Sequence, residues 1–567
     1  MYRSSSLDNA RPGIAGTISR AAAAAAAAGA SAATESAPEH RSQMRLLAAL
    51  TMPALITNLC QAALPLTSFA YAGRLTDAAA LAGLGLGVSV CNITGVCVYY
   101  GMGTGIELLC SQAFGAKNHR LVGVAFARGT ILTGFMFIPV AILWFEMENI
   151  LLLIGQQANV AHITGTFSRA YLWGMIPYAV FENLKRCLQA QSVAIPVMVV
   201  VVLGALANVV FHHITMVVLG MGVHGAGVAL SLTGMFMLVV LVFSTWFFSL
   251  GAEGCWSGIC SVDVFKHWRG YLKVCIPGLV GVFIEWTSWE ASTFLAGLLG
   301  EQQLATQVMV LSAYGIVFQF ALSINIGVSI RVGNLLGEGN ENGARKSAWC
   351  GVRMALTAAA ISALCLGFGR SQWPRLYGVP EDVLDMIVSI TPVYVAAQMI
   401  DMVQMVCTGI LKGMGYQRTQ AIAAFVGFWF VGVPSSAYLG VYLGWGLEGL
   451  WGGMAIAEGP LLLFYLYVLS TADWEECVRE AATRVEEQSD VSLPKTVPET
   501  SSDTDSDYDS DYDSDSSSAG GGAAAAPTSG GWAAEEMRDV EAGPRYAYSG
   551  GGGVSMVRGV SGGERVE

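Results

Sequence analysis

Acids set inside apolar sequence are the residues of this chain best placed to do chemistry. Glu285 lies about fourteen residues from either end of the apolar run 271–299, two turns beyond Pro277, and Asp401 lies at least two turns inside the run 386–410, beyond Pro392. Ionising an acid at the centre of a membrane helix costs at least ~2.5–3.5 kcal/mol on insertion scales, so a carboxyl kept there faces a cavity and has a task. Each proline frees a backbone carbonyl and permits a bend beside its acid. Glu285 and Asp401 are the two acids that fit this description best.

The neighbours of these acids suit organic solutes. Glu285 and Trp289 are four residues apart and share a helix face, whereas Glu290 lies ~140° around from Glu285 and stacks with Trp286. Aromatic rings attract organic cations and flat apolar molecules, and carboxylates add charge. Trp286, Trp289 and Glu290 are therefore predicted to bind substrate. Gln404, Met405 and Thr408 follow Asp401 at i+3, i+4 and i+7, a polar stripe predicted to join them. Glu107 and Glu182 stand beside Lys and Arg near helix ends and read as structural partners of those bases; Glu458 is a further acid that could line the cavity, with nothing to pair with it.

The elements that hold these residues must be membrane helices. Of the 567 residues, 54% are hydrophobic and 13% charged, against ~25% charged in ordinary soluble proteins, and this shortage points to a bilayer. Apolar stretches recur near 46–70, 81–106, 124–147, 165–184, 194–216, 223–249, 271–299, 304–327, 348–369, 386–410, 420–442 and 446–470, each long enough to cross ~30 Å of hydrocarbon. They are continuously apolar rather than alternating, which predicts helices and excludes a barrel. Loops after even-numbered helices hold thirteen Lys and Arg, among them Lys117, Arg120, Lys185, Arg186, Arg331 and Lys412, against Arg74, Arg370 and Arg375 in the odd-numbered ones. That bias predicts both termini in the cytoplasm, with plasma membrane, vacuole and other endomembranes left open.

The net charge of −12 resides at the C-terminal end, where residues 471–567 hold 7 Lys/Arg and 21 acids, while 46–470 hold 18 of each. A basic nucleic-acid-binding protein is thereby excluded. The Arg/Ser/Ala-rich residues 1–43 share the composition of a transit peptide, but they and the Asp/Ser/Tyr repeat at 503–518 cannot bury apolar surface and are expected to be disordered. A short charged helix is expected over 475–487, and the acid-flanked serines suit a kinase.

The chain is also internally duplicated. Gln112-Ala-Phe-Gly115 with Asn118 matches Asn334-Leu-Leu-Gly337 with Asn340 at an offset of 222, while Leu219-Gly220-x-Gly222-x-x-Gly225 matches Leu443-Gly444-x-Gly446-x-x-Gly449, and Pro53 matches Pro277, at 224. Glu285 then falls on Gln61, so ion coupling is expected to be asymmetric, with Gln61 on the substrate path. The expected fold is all-α: twelve transmembrane helices in two six-helix bundles related by a pseudo-two-fold along the membrane normal, with a substrate cavity between them. The expected organisation is an N-terminal tail to 43, an N-lobe over 44–250, an inter-lobe loop over 251–270, a C-lobe over 271–470 and an acidic tail from 471, working as a monomer.

Other motifs have plainer readings. Both G-x-G-x-x-G matches lie between spanning helices without a βαβ unit, so tight turns explain them better than a dinucleotide site. Asn92-Ile-Thr94 is a glycosylation sequon inside a helix, and His212-His213 reads as an interfacial pair of ordinary histidines. The twelve Cys lack metal-ligand spacing and read as packed thiols, with Cys255 and Cys260 free in a loop. An intramembrane enzyme would need a constellation such as H-E-x-x-H, which the sequence lacks; no cofactor or metal is implied.

Four segments resemble the multidrug and toxic compound extrusion (MATE) family, especially its plant detoxification-type branch, over about residues 46–470. They are Ile284-Glu285-Trp286-Thr287-Ser288-Trp289-Glu290, Leu109-Cys110-Ser111-Gln112-Ala113-Phe114-Gly115-Ala116, Arg331-Val332-Gly333-Asn334-Leu335-Leu336-Gly337 and Gly409-Ile410-Leu411-Lys412-Gly413-Met414-Gly415-Tyr416-Gln417. The resemblance implies an antiporter that exports amphipathic organic solutes, such as organic cations, secondary metabolites and xenobiotics, against an inward flow of protons, with Na⁺ as the other coupling ion to test. It implies Glu285 and Asp401 as the proton-handling pair, and Glu290 matches the animal branch's second helix-7 acid. Ser111 departs from the Gly common in the plant-like motif. A flippase for lipids or lipid-linked oligosaccharides, of similar architecture, is the alternative, and it requires a more cationic cavity.

Overall fold

The computed structural model describes residues 37–377 and 380–489; the expectations for residues 1–36 and for the acidic repeat lie outside the described residues. Twelve long helices follow in order: α1 Ala37–Leu75, α2 Ala79–Gly115, α3 His119–Phe145, α4 Ala158–Ala190, α5 Ile195–Val218, α6 Gly222–Phe247, α7 Trp268–Leu299, α8 Glu301–Gly337, α9 Glu341–Phe368, α10 Glu381–Met414, α11 Gln417–Tyr442 and α12 Gly446–Thr471. A shorter α13, Trp474–Gln488, comes next. Ten of the twelve are long and apolar enough to cross a bilayer. The other two, α4 and α7, carry Arg169, Glu182, Lys185 and Arg186, and Lys273, Glu285 and Glu290.

Several helices outrun the apolar stretches that predict them. Lys185, Arg186, Arg331 and Lys412, read above as loop residues, lie on α4, α8 and α10. Tertiary partners rather than the hydrophobic pattern hold the last turns of α4, where Arg186 Nη1 lies 2.9 Å from Glu107 Oε2 on α2 and Lys185 Nζ 2.8 Å from Gln61 Oε1 on α1. Similarly, α1 starts at Ala37, inside the segment expected to be tail.

Helices α1–α6 and α7–α12 form two lobes, each with its own core. In the first, α4 packs against α6, α3 and α2 around Trp144, Phe167 and Phe181; in the second, α10 packs against α8, α9 and α12 around Met402, Cys407 and Met454. The duplicated motifs recur as structure. After α2, Lys117 takes a left-handed φ of 57° and the Asn118 side chain accepts from Leu121 N–H; after α8, Gly339 has φ 78° and Asn340 accepts from Gly343 N–H. Gly220 and Gly222 have φ of 62° and 58°, and Gly444 and Gly446 of 72° and 62°. Glycine adopts such backbone without strain, which makes both segments tight turns.

Across the lobe seam the two copies of the first motif meet each other. A Cβ on Gly115 would lie 2.0 Å from the Asn334 carbonyl oxygen, and one on Gly337 would lie 2.1 Å from that of Gln112. Reciprocal contact between equivalent residues is the mark of a two-fold relation. Helix α7 leans on α2, and α8 on α1 and α2, so the bundle is closed at the end bearing the Lys/Arg-rich segments. Further along these helices, α2 around Asn92 and α8 around Phe318 line cavities.

Helix α13 lies across the closed seam. Trp474, Cys477 and Ala481 join the C-lobe core, and Val485 joins a cluster built mostly on α2 and α3. Arg484 donates to Gln112 Oε1 at 2.8 Å on one lobe and to the Met414 carbonyl at 2.9 Å on the other.

Candidate functional site

Two adjoining cavities lie between the lobes. The first, ≈ 290 Å³, is bounded by Gln61, Tyr99, Tyr178, Glu182 and Lys185 of the N-lobe; the second, ≈ 230 Å³, by Glu285, Trp289, Glu290, Thr293 and Tyr314 of the C-lobe. Asn92, Trp286 and Phe318 line both. Each cavity approaches the lower end of ligand-sized pockets, ~300 Å³.

Aromatic contacts set the depth at which the C-lobe helices meet. The Trp289 ring centroid lies 5.1 Å from that of Tyr314 and 5.4 Å from that of Trp451, and Trp451 lies 5.0 Å from Tyr394. These rings come from α7, α8, α12 and α10. Glu285 enters one turn from Trp289 and is 5% exposed. Trp429 Nε1 donates to the Ile284 carbonyl at 3.2 Å, and the Ser288 hydroxyl donates to that of Glu285 at 2.7 Å, which fixes the backbone around the acid. Asp401 is 1% exposed and does not line the cavity itself. Tyr314, which lines the cavity, donates from its hydroxyl to Asp401 Oδ2 at 2.6 Å.

Glu290 is exposed and lines the same cavity as Glu285, so the cavity reaches both faces of α7. Trp286 separates the two cavities. Its ring lies 5.9 Å from Tyr100, over which the Arg186 guanidinium sits at 4.2 Å, a cation–π contact that stiffens the floor where the lobes meet. Gln61 is engaged by α4: its Nε2 donates to the Tyr178 hydroxyl at 2.8 Å and to Glu182 Oε1, and Lys185 Nζ donates to Gln61 Oε1 at 2.8 Å. Glu182 is thus partnered by a base, as expected, and also lines the N-lobe cavity.

Other residues of the expected set lie elsewhere. Asn325 Nδ2 on α8 donates to the Met405 carbonyl at 2.5 Å and to the Thr408 hydroxyl at 3.1 Å, and that hydroxyl donates to the Met405 carbonyl at 2.6 Å. Met405 and Thr408 line neither cavity. Their part of the stripe is a hydrogen-bonded seam between α8 and α10, where Gly409 lets the helices approach: a Cβ there would lie 2.6 Å from the Asn325 carbonyl oxygen. Gln404 is fully buried and lines neither cavity. His212 is buried rather than interfacial, its ring nitrogens 2.7 Å from the Ser68 hydroxyl and 2.8 Å from the Asn208 carbonyl. All twelve Cys are free thiols, and Cys255 is buried beside Gln191 instead of loose in the loop.

Sequence reasoning missed Tyr314 and Tyr178, because any aromatic suits a membrane span. One signal was available: at the 222 offset Tyr314 falls on Asn92, and both face the C-lobe cavity.

The MatE family model matches residues 53–214 and again 277–438, one copy in each lobe. Protein DETOXIFICATION 49 of Arabidopsis thaliana is 29% identical over 463 residues, which cover 80% of this chain and 91% of that protein. Multidrug and toxin extrusion protein 1 of Xenopus tropicalis is 29% identical over 450 residues, covering 78% and 77%. Among solved structures, the eukaryotic MATE transporter AtDTX14 matches with a TM-score of 0.74 at 24% identity, covering 79% of this chain and 99% of that one, a likeness of fold. With the family model matched in both halves and two six-helix lobes built around a shared cleft, the chain belongs to the MATE family of multi-pass membrane transporters.

Proposed function

We propose that the protein is a secondary active antiporter that extrudes amphipathic organic solutes, organic cations foremost, in exchange for protons. The observation that carries this reading is the lining of the C-lobe cavity: the carboxylates of Glu285 and Glu290 and the rings of Trp286, Trp289, Tyr314 and Phe318, with neither Lys nor Arg among its lining residues. In the N-lobe cavity the one lining base, Lys185, is already paired with Glu182. Rings beside carboxylates, in a cavity whose lining carries no base, favour an organic cation. The same balance counts against the flippase reading, because phosphate-bearing headgroups need cationic partners.

Proton and cargo compete for one site in this mechanism. Glu285 borders the cavity, and Asp401 is reached through the Tyr314 hydroxyl. With the basic end in the cytoplasm, the reading makes this an outward-open state. Protonation of Glu285 or Asp401 removes the charge that holds a cationic cargo, and the cargo leaves. The lobes then close over the cavity, and deprotonation towards the cytoplasm restores affinity for the next molecule. A monomer is the proposed working unit, and a kinase acting on the serines of 503–518 is the proposed protein partner.

Transport in sealed vesicles with imposed pH or Na⁺ gradients, offered a panel of organic cations, flavonoids and hormones, tests the reading. Cation accumulation driven by the pH gradient is expected. Accumulation driven by Na⁺ alone, or none for any cation, contradicts it.

A further inference from the structure

Glu458 on α12 is an acid that the mechanism above leaves unused. It is 0% exposed, and neither of its carboxyl oxygens has a hydrogen-bond partner among the described residues. Glu107, Glu182 and Asp401 are buried too, but Arg186, Lys185 and Tyr314 partner them. An ionised carboxylate buried without cation or donor costs several kcal/mol, so its retention inside a membrane helix marks a function.

The register of the aromatic cluster places Glu458 beside the coupling acids. The Tyr394 and Trp451 rings meet at 5.0 Å, and α10 and α12, an even number of spans apart, run in the same direction. Asp401 is seven residues beyond Tyr394 and Glu458 seven beyond Trp451, so both lie ~10.5 Å from that ring contact. Seven residues is almost two turns, which returns each acid to the face its aromatic occupies. Helix α7 runs the other way, and Glu285, four residues before Trp289, lies ~6 Å below the same aromatic level. Met454 and Leu461, which flank Glu458 at i−4 and i+3, share one core cluster with Met402 and Met405 of α10. Beside Asp401, whose Oδ1 is unpartnered, lies the buried amide of Gln404.

The charges in this compartment do not balance if every acid is ionised. Helices α7, α8, α10 and α11 pack on α12. Within electrostatic range of Glu458 are Asp401 from α10, Glu285 from α7 and the Tyr314 phenol from α8. On α11 the titratable Arg418, Tyr438 and Tyr442 are exposed. The cation acting on Glu285 is Lys412, buried towards the end of α10. One ammonium can compensate one carboxylate, so the other two acids need protons.

We infer that Glu458 is a proton-carrying residue of the transport cycle, forming with Glu285 and Asp401 a three-carboxyl site in the C-lobe that holds two exchangeable protons. The inference rests on the proton-coupled reading above. In its step the Glu458 carboxylate takes up one H⁺ to become the carboxylic acid while the cavity is open, and it gives up the same H⁺ after the lobes have switched; no other bond forms or breaks.

Infrared difference spectra of the purified full-length protein between alkaline and acidic buffer test the assignment through the carboxylic C=O band that grows on acidification. Glu458→Gln, nearly isosteric with the protonated acid, is expected to remove part of the band that Glu285→Gln and Asp401→Asn leave in place, and Glu458→Asp is expected to restore it at a shifted frequency. A band that Glu285→Gln or Asp401→Asn diminishes but Glu458→Gln leaves intact overturns this inference alone. A band unchanged by all three overturns the proton-coupled reading with it. Should Glu458→Gln fail to fold, an unshifted wild-type band in Glu458→Asp gives the contrary answer.

Discussion

The Tyr314 hydroxyl donates to Asp401 Oδ2 at 2.6 Å, and Tyr314 itself lines the cavity bordered by Glu285 and Glu290. Of the two proposed coupling acids, Glu285 thus lines the cavity itself, while Asp401 is hydrogen-bonded to a lining residue of α8.

Tyr314→Phe keeps the ring contacts with Trp289 and Trp451 and deletes only the hydroxyl. Hydrogen bonds to charged groups contribute ~1.5–3 kcal/mol, so the initial rate of pH-driven cation transport is expected to fall roughly tenfold or more at equal protein. An unchanged rate would show that Asp401 exchanges protons by another route.

Cargo charge and cargo area should separate at α7. Glu290 is exposed to the cavity, so Glu290→Gln is expected to raise the apparent KM for organic cations more than for neutral aromatics, with proton coupling retained. Trp286→Ala should weaken both classes, because stacking does not depend on net charge. Equal effects of Glu290→Gln on cations and neutral solutes would assign Glu290 to structure or coupling instead.

The twelve helices and the duplication were legible because their causes are local. A bilayer demands uninterrupted apolar stretches, while Asn118, Asn340 and the paired glycines punctuate the chain within a few residues of where they act. The last turns of α4 were not legible, since Arg186 there finds its acid, Glu107, 79 positions away. Periodicity placed Met405 and Thr408 on one face with Asp401 but could not tell which neighbour that face meets, and the answer is Asn325 rather than the cavity. Tyr314 is singled out only by its bond to a residue 87 positions away.

The strap formed by α13 should hold the basic end shut. Arg484→Ala deletes donors to Gln112 on one lobe and Met414 on the other. Spin labels at Lys117 and Asn342, in a background with Cys60, Cys260 and Cys365 replaced, are expected to gain a longer-distance population in this variant. An unaltered distance distribution would mean that the strap does not bear on the seam.

The inter-lobe loop should be indifferent to working pH. Lys266 and the Ser261 hydroxyl, with Arg120, gather on Asp263 and hold its carboxyl down from the ordinary 3.8 to about 2. A depressed value means the contribution is complete above the ordinary range and is lost only as pH falls through it towards about 2. Asp263→Asn is thus expected to speed proteolysis of the loop while leaving the pH profile of transport unmoved. A displaced profile would implicate the loop in coupling.

Coupling through Glu285 is tested most directly by comparing two modes of transport in one vesicle preparation. Glu285→Gln preserves size and hydrogen bonding but removes the exchangeable proton. Uphill accumulation of an organic cation under an imposed pH gradient is expected to vanish in this variant, while exchange of labelled for unlabelled cation without a gradient continues. Accumulation at the wild-type level by Glu285→Gln would contradict the account.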